Sequence, residues 1–488
     1  MPVQRDAVVV GGGIAGLACA RRLLEAGVDV ELLEAGSRVG GSLASRRVGG
    51  HVVDLGPQTV LGKDPELFQE LSDLGLDDAL LVADRRGAKR YIVLDGRPVA
   101  LPGGPLGLLS TRSLSLSGKL RLLGEPFAPR GEGDDESVDR FMRRRLGAEV
   151  ADRVVDPFVS GVHAGDPTTL SMRAAFPGLL EGERTHGSLL RWGLTGGPKR
   201  AGGEAASRHR AEAGRGRSGG RPTPRPRSRL FSFAAGLAAW PRALAGALGP
   251  DRVRVDARVE RLARSGPGAW TLTTRDRTLR APRVVLAVPA PAAADLLADV
   301  SAEGADALRG IRYAPVTTVH LTYPRDAVAH PLDGFGMLFP SGERAPVLGV
   351  LWVSSLFAGR ASPGTVQTAT FVGGARSPDR AALPDDELVE LVHGEHRRVL
   401  GASGDPGLRV VARWPHAIPR LDLGHPARLD VLRRVEQELD GLRLAGSYAG
   451  TSPSVAACWA RGRAAAERIV EGREDAPAAP GDTRRDAA

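Results

Sequence analysis

Cysteine is nearly missing from this 488-residue chain: Cys19 and Cys458 are the whole complement. Two thiols cannot build a disulfide framework, and the chain is expected in a reducing compartment. No uncharged apolar run reaches the roughly 18–20 residues of a spanning helix, which leaves only peripheral membrane contact open. The first glycine motif starts at Gly11, so no signal peptide is expected ahead of it. His416 and His425 lack the ligand neighbours of a metal site, and no metal is expected. Neither is there a nucleophile–base constellation. The net charge of +9 is concentrated: Lys199–Arg229 holds ten basic residues against Glu204 and Glu212, a net of +8. Basicity confined to one segment argues against a nucleic-acid partner. Hydrophobic content of 42% suits a globular protein, and the length allows about three domain-sized units.

What is present is a dinucleotide signature. Ala7–Val10 is an apolar strand pattern, and Gly11, Gly13 and Gly16 follow as G-x-G-x-x-G, with Ile14 and Ala15 opening a helix. Gly27 stops that helix, and Val28–Leu33 reads as a second strand ending at Glu34. Gly11 permits the tight turn, Gly13 lets the backbone approach a pyrophosphate, and Gly16 lets helix and strand pack closely. The helix N-terminus offers N–H groups to phosphate, and Glu34 suits ribose hydroxyls. Ala35, Arg38, Gly40 and Gly41 come next, where an Arg can reach phosphate oxygens and paired glycines can lie against a flat ring. Gly56 and Pro57 then turn the chain after another short strand. A strand at 281–289 lacks a second glycine motif, so no NAD(P)H domain is expected.

Coarser patterns fill the interval. Residues 64–83, 104–125, 137–155 and 385–400 read as helices, with Arg143, Arg144 and Arg145 as a wet helix face. Asp95-Gly96 between 91–94 and 98–101 signals a hairpin opened by Arg90. Pairs of Pro and Gly in Asp156–Pro167 suggest irregular backbone. Strands are expected at 253–262, 270–274, 311–323, 334–340, 346–354 and 366–373. Residues 195–229 hold almost no large apolar side chain and are expected to be disordered.

Three stretches together resemble the oxygen-dependent protoporphyrinogen oxidases of the amine-oxidase-like flavoprotein superfamily. These are E-A-x-x-R-x-G-G after the glycine motif, the Asp156–Pro167 run D-P-F-x-x-G-V-x-A-G-D-P, and Trp414–His425. His163 stands where that family usually has an aromatic, and Leu421 replaces its usual Tyr. The turn Thr451–Ser454 is two residues longer than usual before Cys458.

The resemblance implies an α/β fold with an α+β substrate part. A Rossmann-like FAD-binding domain would be assembled from 1–63, 230–300 and 435–472. A sheet-rich substrate domain would span 84–109 and 301–434, and a membrane-facing helical domain 110–194. The basic insert 195–229 and a tail at 473–488 complete the expected division. FAD is the implied cofactor, held by the glycine motif, Glu34, Arg38 and their neighbours, with Val259 near adenine. Trp414, Gly446 and Val455, at the start of the last helix, would also contact it.

Implied partners are a porphyrinogen and oxygen. Arg90 would pair a propionate, Gly161 would lie against the macrocycle, Gln58 near the flavin ring, and Phe357 on a pyrrole. A cytoplasmic location is implied, with peripheral contact on the inner membrane face and a homodimer left open. Protoporphyrinogen IX is the expected substrate. Coproporphyrinogen III, a generic amine oxidase or desaturase reaction, and a non-catalytic flavin-binding role are the alternatives.

Overall fold

The computed structural model describes residues 2–101, 113–131, 133–195, 229–266 and 268–474. The expectations for 104–112, nearly all of the basic insert and nearly all of the tail lie outside them.

Three distant parts of the chain supply one parallel sheet. Its strand order is Val253–Arg254, Val30–Leu33, Ala7–Val10, Arg283–Leu286, Leu442–Leu444. The Ala7–Val10 strand is buried on both faces, as continuous apolar strands in parallel sheets are. The Ile14–Glu25 helix packs on the sheet, and the closing helix Val455–Glu474 packs on that helix. Gly462 makes the contact: a Cβ there would sit 2.0 Å from the Ala15 carbonyl oxygen. The strand expected at 253–262 is two strands in two sheets. Val253–Arg254 joins the parallel sheet, and Val259–Gly266 an antiparallel one, with Asp256 at φ +51° between them.

A second large sheet has seven strands, ordered Arg409–Pro419, Tyr313–Pro324, Thr365–Gly373, Gly349–Leu351, Gly336–Leu338, Arg90–Leu94, Arg97–Leu101. The Asp95-Gly96 hairpin forms as expected, both residues at positive φ. Strand alternation divides the sheet's faces. Val319, Leu321, Tyr323 and Val372 pack with Leu388, Val392 and Val399 of the Asp385–Leu400 helix. Thr318 and Gln367 point the other way and reach the half that holds the parallel sheet, donating to Leu55 O at 2.6 Å and Val52 O at 3.3 Å.

Other expectations need correction. Within 64–83 the helix is only Pro65–Asp73. Gly75, at φ +68°, follows its end, and Leu80–Val82 is drawn into a strand against Arg229–Phe233. Asp156–His163 is helical: it carries on the run of Ala148–Val150 and the π-helical Ala151–Val155, and Pro157 follows directly on that change of pitch. Arg145 is fully buried, donating to Glu125 and to the carbonyls of Ala128 and Gly187. Arg144 pairs with Glu136 and Glu183, so only Arg143 of that trio fits a wet face. No helix among the described residues is long and apolar enough to cross a membrane.

A buried ion pair locks the two halves together. Arg360 and Asp54 are each 1% exposed and meet at 2.9 Å. Asp54 also accepts from Ser45 Oγ at 2.5 Å and Leu237 N at 2.8 Å, with Gly236 packed against it. Arg360 donates to Ser232 Oγ and to Phe233 O. Burial pushes the Asp54 carboxyl above its ordinary range, and Arg360 opposes that rise. Removing one partner strands a buried charge, which costs about 3–5 kcal/mol. Arg360→Ala is therefore expected to lower the urea midpoint steeply, and an unchanged midpoint would contradict the locking role.

Candidate functional site

The glycine motif shapes one end of a large cavity. Gly11 adopts φ +108°, and a Cβ there would lie 2.6 Å from the Ala287 carbonyl oxygen. At Gly16 a Cβ would come within 1.9 Å of Gly11 O, so only glycine lets the helix begin this close to the strand. Gly13 differs: its φ is an ordinary −70°, and a Cβ there would meet no protein atom within 4 Å. Its missing side chain leaves open space in front of a helix N-terminus, the place for a phosphate. Glu34 accepts from the Gly12 and Gly36 amides, each at 2.7 Å. Its carboxylate is thereby fixed in the cavity wall and retains lone pairs for hydroxyl donors.

From there the cavity runs without interruption for about 1320 Å³. A site for one small ligand is typically about 300–1,000 Å³. The space therefore suits an extended cofactor and a second ligand together. Ile14, Ala15, Ala35, Gly40 and Gly41 line it beside Glu34, and Val259 lines it next to Ala257. Gly56 and Pro57 line its middle, as do Trp414, Gly446 and Val455. Trp414 Nε1 donates to Leu55 O at 2.8 Å, the same carbonyl that Thr318 holds. These residues fit FAD: an acid, an open glycine cradle and a helix N-terminus lie along one continuous wall.

Not every expected contact faces the cavity. Gly16 sits behind the wall. Arg38 donates to Val39 O and Gly41 O, at 3.2 and 2.8 Å, bracing the loop from outside. Gln58 is buried behind Gly56 and donates to Asp54 O at 2.6 Å and Gly56 O at 2.8 Å. The lengthened Thr451–Ser454 turn lines the cavity. It is tied down by Arg461, which donates to Ser452 O at 2.9 Å and Gly446 O at 3.2 Å. Sequence reading missed Arg461, whose partners are backbone atoms that leave no pattern.

At the far end Gly161, His163, Val316, Leu348, Phe371 and Ile418 form a mostly apolar slot. A Cβ on Gly161 would stand 2.2 Å from Leu338 Cδ2, so the helix rests directly on that leucine and a larger residue would have to displace its side chain. His163 is half-buried and edge-on to Phe176, with ring centroids 5.6 Å apart. Burial pushes its imidazole down to about 4, so it is neutral at pH 7.

Phe357 must be corrected: it is 1% exposed, away from the slot, under the Arg360 guanidinium. The short Val353–Leu356 helix turns it into the core. The aromatic at the slot is Phe371, paired across the sheet with Thr318. Strand alternation placing Phe371 with Gln367 and Ala369 was the signal available for it. Arg90 is exposed outside the lining, its guanidinium 5.3 Å over the Phe335 ring. Among the described residues no group of three or more His, Cys, Asp or Glu could hold a metal.

Comparison with known proteins agrees with this geometry. The family model described as flavin containing amine oxidoreductase matches residues 14–470. A chloroplastic protoporphyrinogen oxidase of Nicotiana tabacum is 33% identical over 463 residues, covering 91% of this chain and 82% of its own. The coproporphyrinogen III oxidase of Bacillus subtilis strain 168 is 27% identical over 462 residues, covering 92% of each. Among solved structures, cyclohexylamine oxidase from Brevibacterium oxydans IH-35A superposes with a TM-score of 0.68 at 17% identity, covering 96% of this chain and 99% of that one. At that identity the likeness concerns the fold alone.

Proposed function

The chain belongs to the flavin containing amine oxidoreductase family, and from that premise we propose that it oxidises a porphyrinogen, protoporphyrinogen IX foremost, with oxygen as final acceptor. One observation carries this reading: the nucleotide cradle and the apolar residues around Gly161 and Phe371 line one continuous cavity. FAD, when bound, would supply the hydride acceptor and the route of the electrons to oxygen. Glu34, the Gly11–Gly16 turn and Val455 would hold it. The protein's own task is orientation and exclusion of water, which suits a slot without an acid–base pair. Gly161 and Phe371 would face the macrocycle.

The test is the visible spectrum of the purified holoenzyme on anaerobic addition of protoporphyrinogen IX. Bleached flavin bands with porphyrin bands rising are expected, and unchanged flavin bands would refute the reading. Coproporphyrinogen III is the second reading, favoured by the match along nearly the whole length of the Bacillus subtilis enzyme. Parallel kcat/KM values on the two substrates decide between them.

Arg90 would meet a propionate only where that group reaches beyond the cavity lining, since Arg90 stands outside it. Exposed ion pairs are worth about 0–1 kcal/mol, so Arg90→Ala should raise KM roughly fivefold at most. A KM unchanged on the preferred porphyrinogen would remove Arg90 from the site.

The proposed domain division follows the strand segments above, with the helices at 116–194 as a third unit. Its Leu116–Leu123 helix points Leu116, Leu120 and Leu123 outward, 75, 61 and 53% exposed, and Phe127 follows at 86%. Spacing of four and then three residues puts the leucines on one face. That face would rest on a lipid surface. Leu120→Glu with Phe127→Glu is expected to abolish flotation with anionic vesicles while leaving flavin content intact. Retained flotation would reject the surface.

A further inference from the structure

Two walls of the slot are built by parts of the chain far apart in sequence, and one short segment holds both. Phe371 lies near the end of the Thr365–Gly373 strand, on the face that lines the cavity. The opposing wall, Gly161–Ala164, is the last turn of the Asp156–His163 helix and the residue after it. Immediately beyond the strand, Gly374, Ala375 and Arg376 cross to that wall. Ala375 N donates to Ala164 O at 2.7 Å. Ala164 is a non-glycine residue in left-handed backbone, φ +45° and ψ 27°, a conformation that persists only when its surroundings hold it. Gly374 runs beside the same carbonyl, where a Cβ would lie 3.1 Å from the oxygen.

Arg376 then grips both flanks of the wall. Its Nη2 pairs with Asp156 Oδ1 at the start of the helix and lies 3.5 Å from Asp166 Oδ1 after its end. Asp156 is buried and uses its other oxygen to accept from Ser341 N at 2.6 Å. The helix is thus fastened at its start by Ser341 and Arg376, and past its end by Ala375 and Arg376. All these fasteners belong to the sheet part.

We propose that Arg376 is a positioning residue that sets the width of the substrate slot, holding Gly161–Ala164 at a fixed separation from Phe371. This deepens the porphyrinogen reading and rests on it for the kinds of ligand the slot takes. Arg376 is not itself part of the cavity lining, so its effect passes through the backbone it fixes. Both ion-pair contacts come from a single nitrogen, so a lysine ammonium can replace them.

The test compares Arg376→Gln, Arg376→Lys and wild-type holoenzyme. For Arg376→Gln, KM for the preferred porphyrinogen should rise about tenfold, with kcat changed by less than about threefold and flavin content full. Arg376→Lys should restore most of the KM. Amide exchange should accelerate about tenfold at Ser341 and Ala375 in Arg376→Gln, because both amides donate into the clamped segment. Unchanged exchange at both amides would overturn the proposal. So would a KM equal to wild type, or activity lost only in proportion to lost flavin. If wild type bleaches with neither porphyrinogen, the functional reading fails alone, and amide exchange still decides the clamp. Should Arg376→Gln not fold, Asp166→Asn, which removes only the weaker contact, must show the same exchange pattern at Ala375 or the proposal falls.

Discussion

Gly13→Val is expected to give a folded protein without flavin. The backbone at Gly13 is extended, φ −70° and ψ 176°, which valine accepts without strain. A Cβ there meets no protein atom within 4 Å, so the empty fold has room for the side chain. That room is the cradle in front of the Ile14–Glu25 helix, where a phosphate would lie. Filling it should weaken FAD binding at least about 100-fold, or roughly 3 kcal/mol.

Gly11 makes the contrast. There a Cβ would collide with the backbone of Ala287, and φ +108° disfavours any L side chain, so Gly11→Val should destabilise even the flavin-free protein. Flavin absorbance relative to protein, calorimetric titration with FAD and the melting temperature of the apoprotein separate the two outcomes. A stoichiometrically yellow Gly13→Val protein would show that the cofactor does not enter along this wall.

Acid should unfold the protein well above the pH at which its carboxylates titrate. His320, His396 and His425 are 0–1% exposed, and burial pushes their imidazoles from 6.5 to about 3, 3 and 4. His320 lies in the strand face turned to the flavoprotein half, and neither ring nitrogen has a hydrogen-bond partner among the described residues. His396 uses both nitrogens, on Tyr323 Oη at 3.2 Å and Thr370 Oγ1 at 3.0 Å.

The folded-state values are depressed, so the unfolded chain binds these protons first. Stability is then fully present above about pH 6.5 and is lost as pH falls toward 3–4. Each histidine contributes about 1.4 kcal/mol per pH unit once its unfolded form is protonated, so these three and His163 together give a slope of about 5–6 kcal/mol per unit. Urea midpoints at pH 7.5, 6 and 5 measure it. His320→Gln should flatten the slope by about a quarter, and midpoints independent of pH across that range would refute the assignment.

The sequence revealed those parts of the site that are contiguous. Gly11 to Glu34 encode turn, helix start and acid within one βαβ unit, and each residue's reason is local. The Asp385–Leu400 helix was legible from its periodicity for the same cause. Phe357 and Phe371 show where such reading stops. Each is one aromatic in an apolar neighbourhood, and only the three-dimensional path decides which faces the slot. The Asp54–Arg360 pair left no trace either, because neither residue has a sequence neighbour that signals the other. Asp156–His163 misled for a different reason: Pro and Gly are read as breakers, yet Pro157 is carried just after a π-helical stretch and Gly161 within the helix that follows. Leu80–Val82 was absorbed into a helix because its strand partner, Arg229–Phe233, lies far along the chain.

The parallel sheet takes its middle strand from Ala7–Val10 and its edge from Leu442–Leu444. A ribosome making this protein therefore finishes the glycine turn first and supplies the last wall of the flavin bed only at the end. Until then the nascent chain carries a hydrophobic sheet without its neighbour. Flavin capture therefore waits until Leu442–Leu444 and the Val455–Glu474 helix have been made, and fragments that stop short of them should hold no flavin.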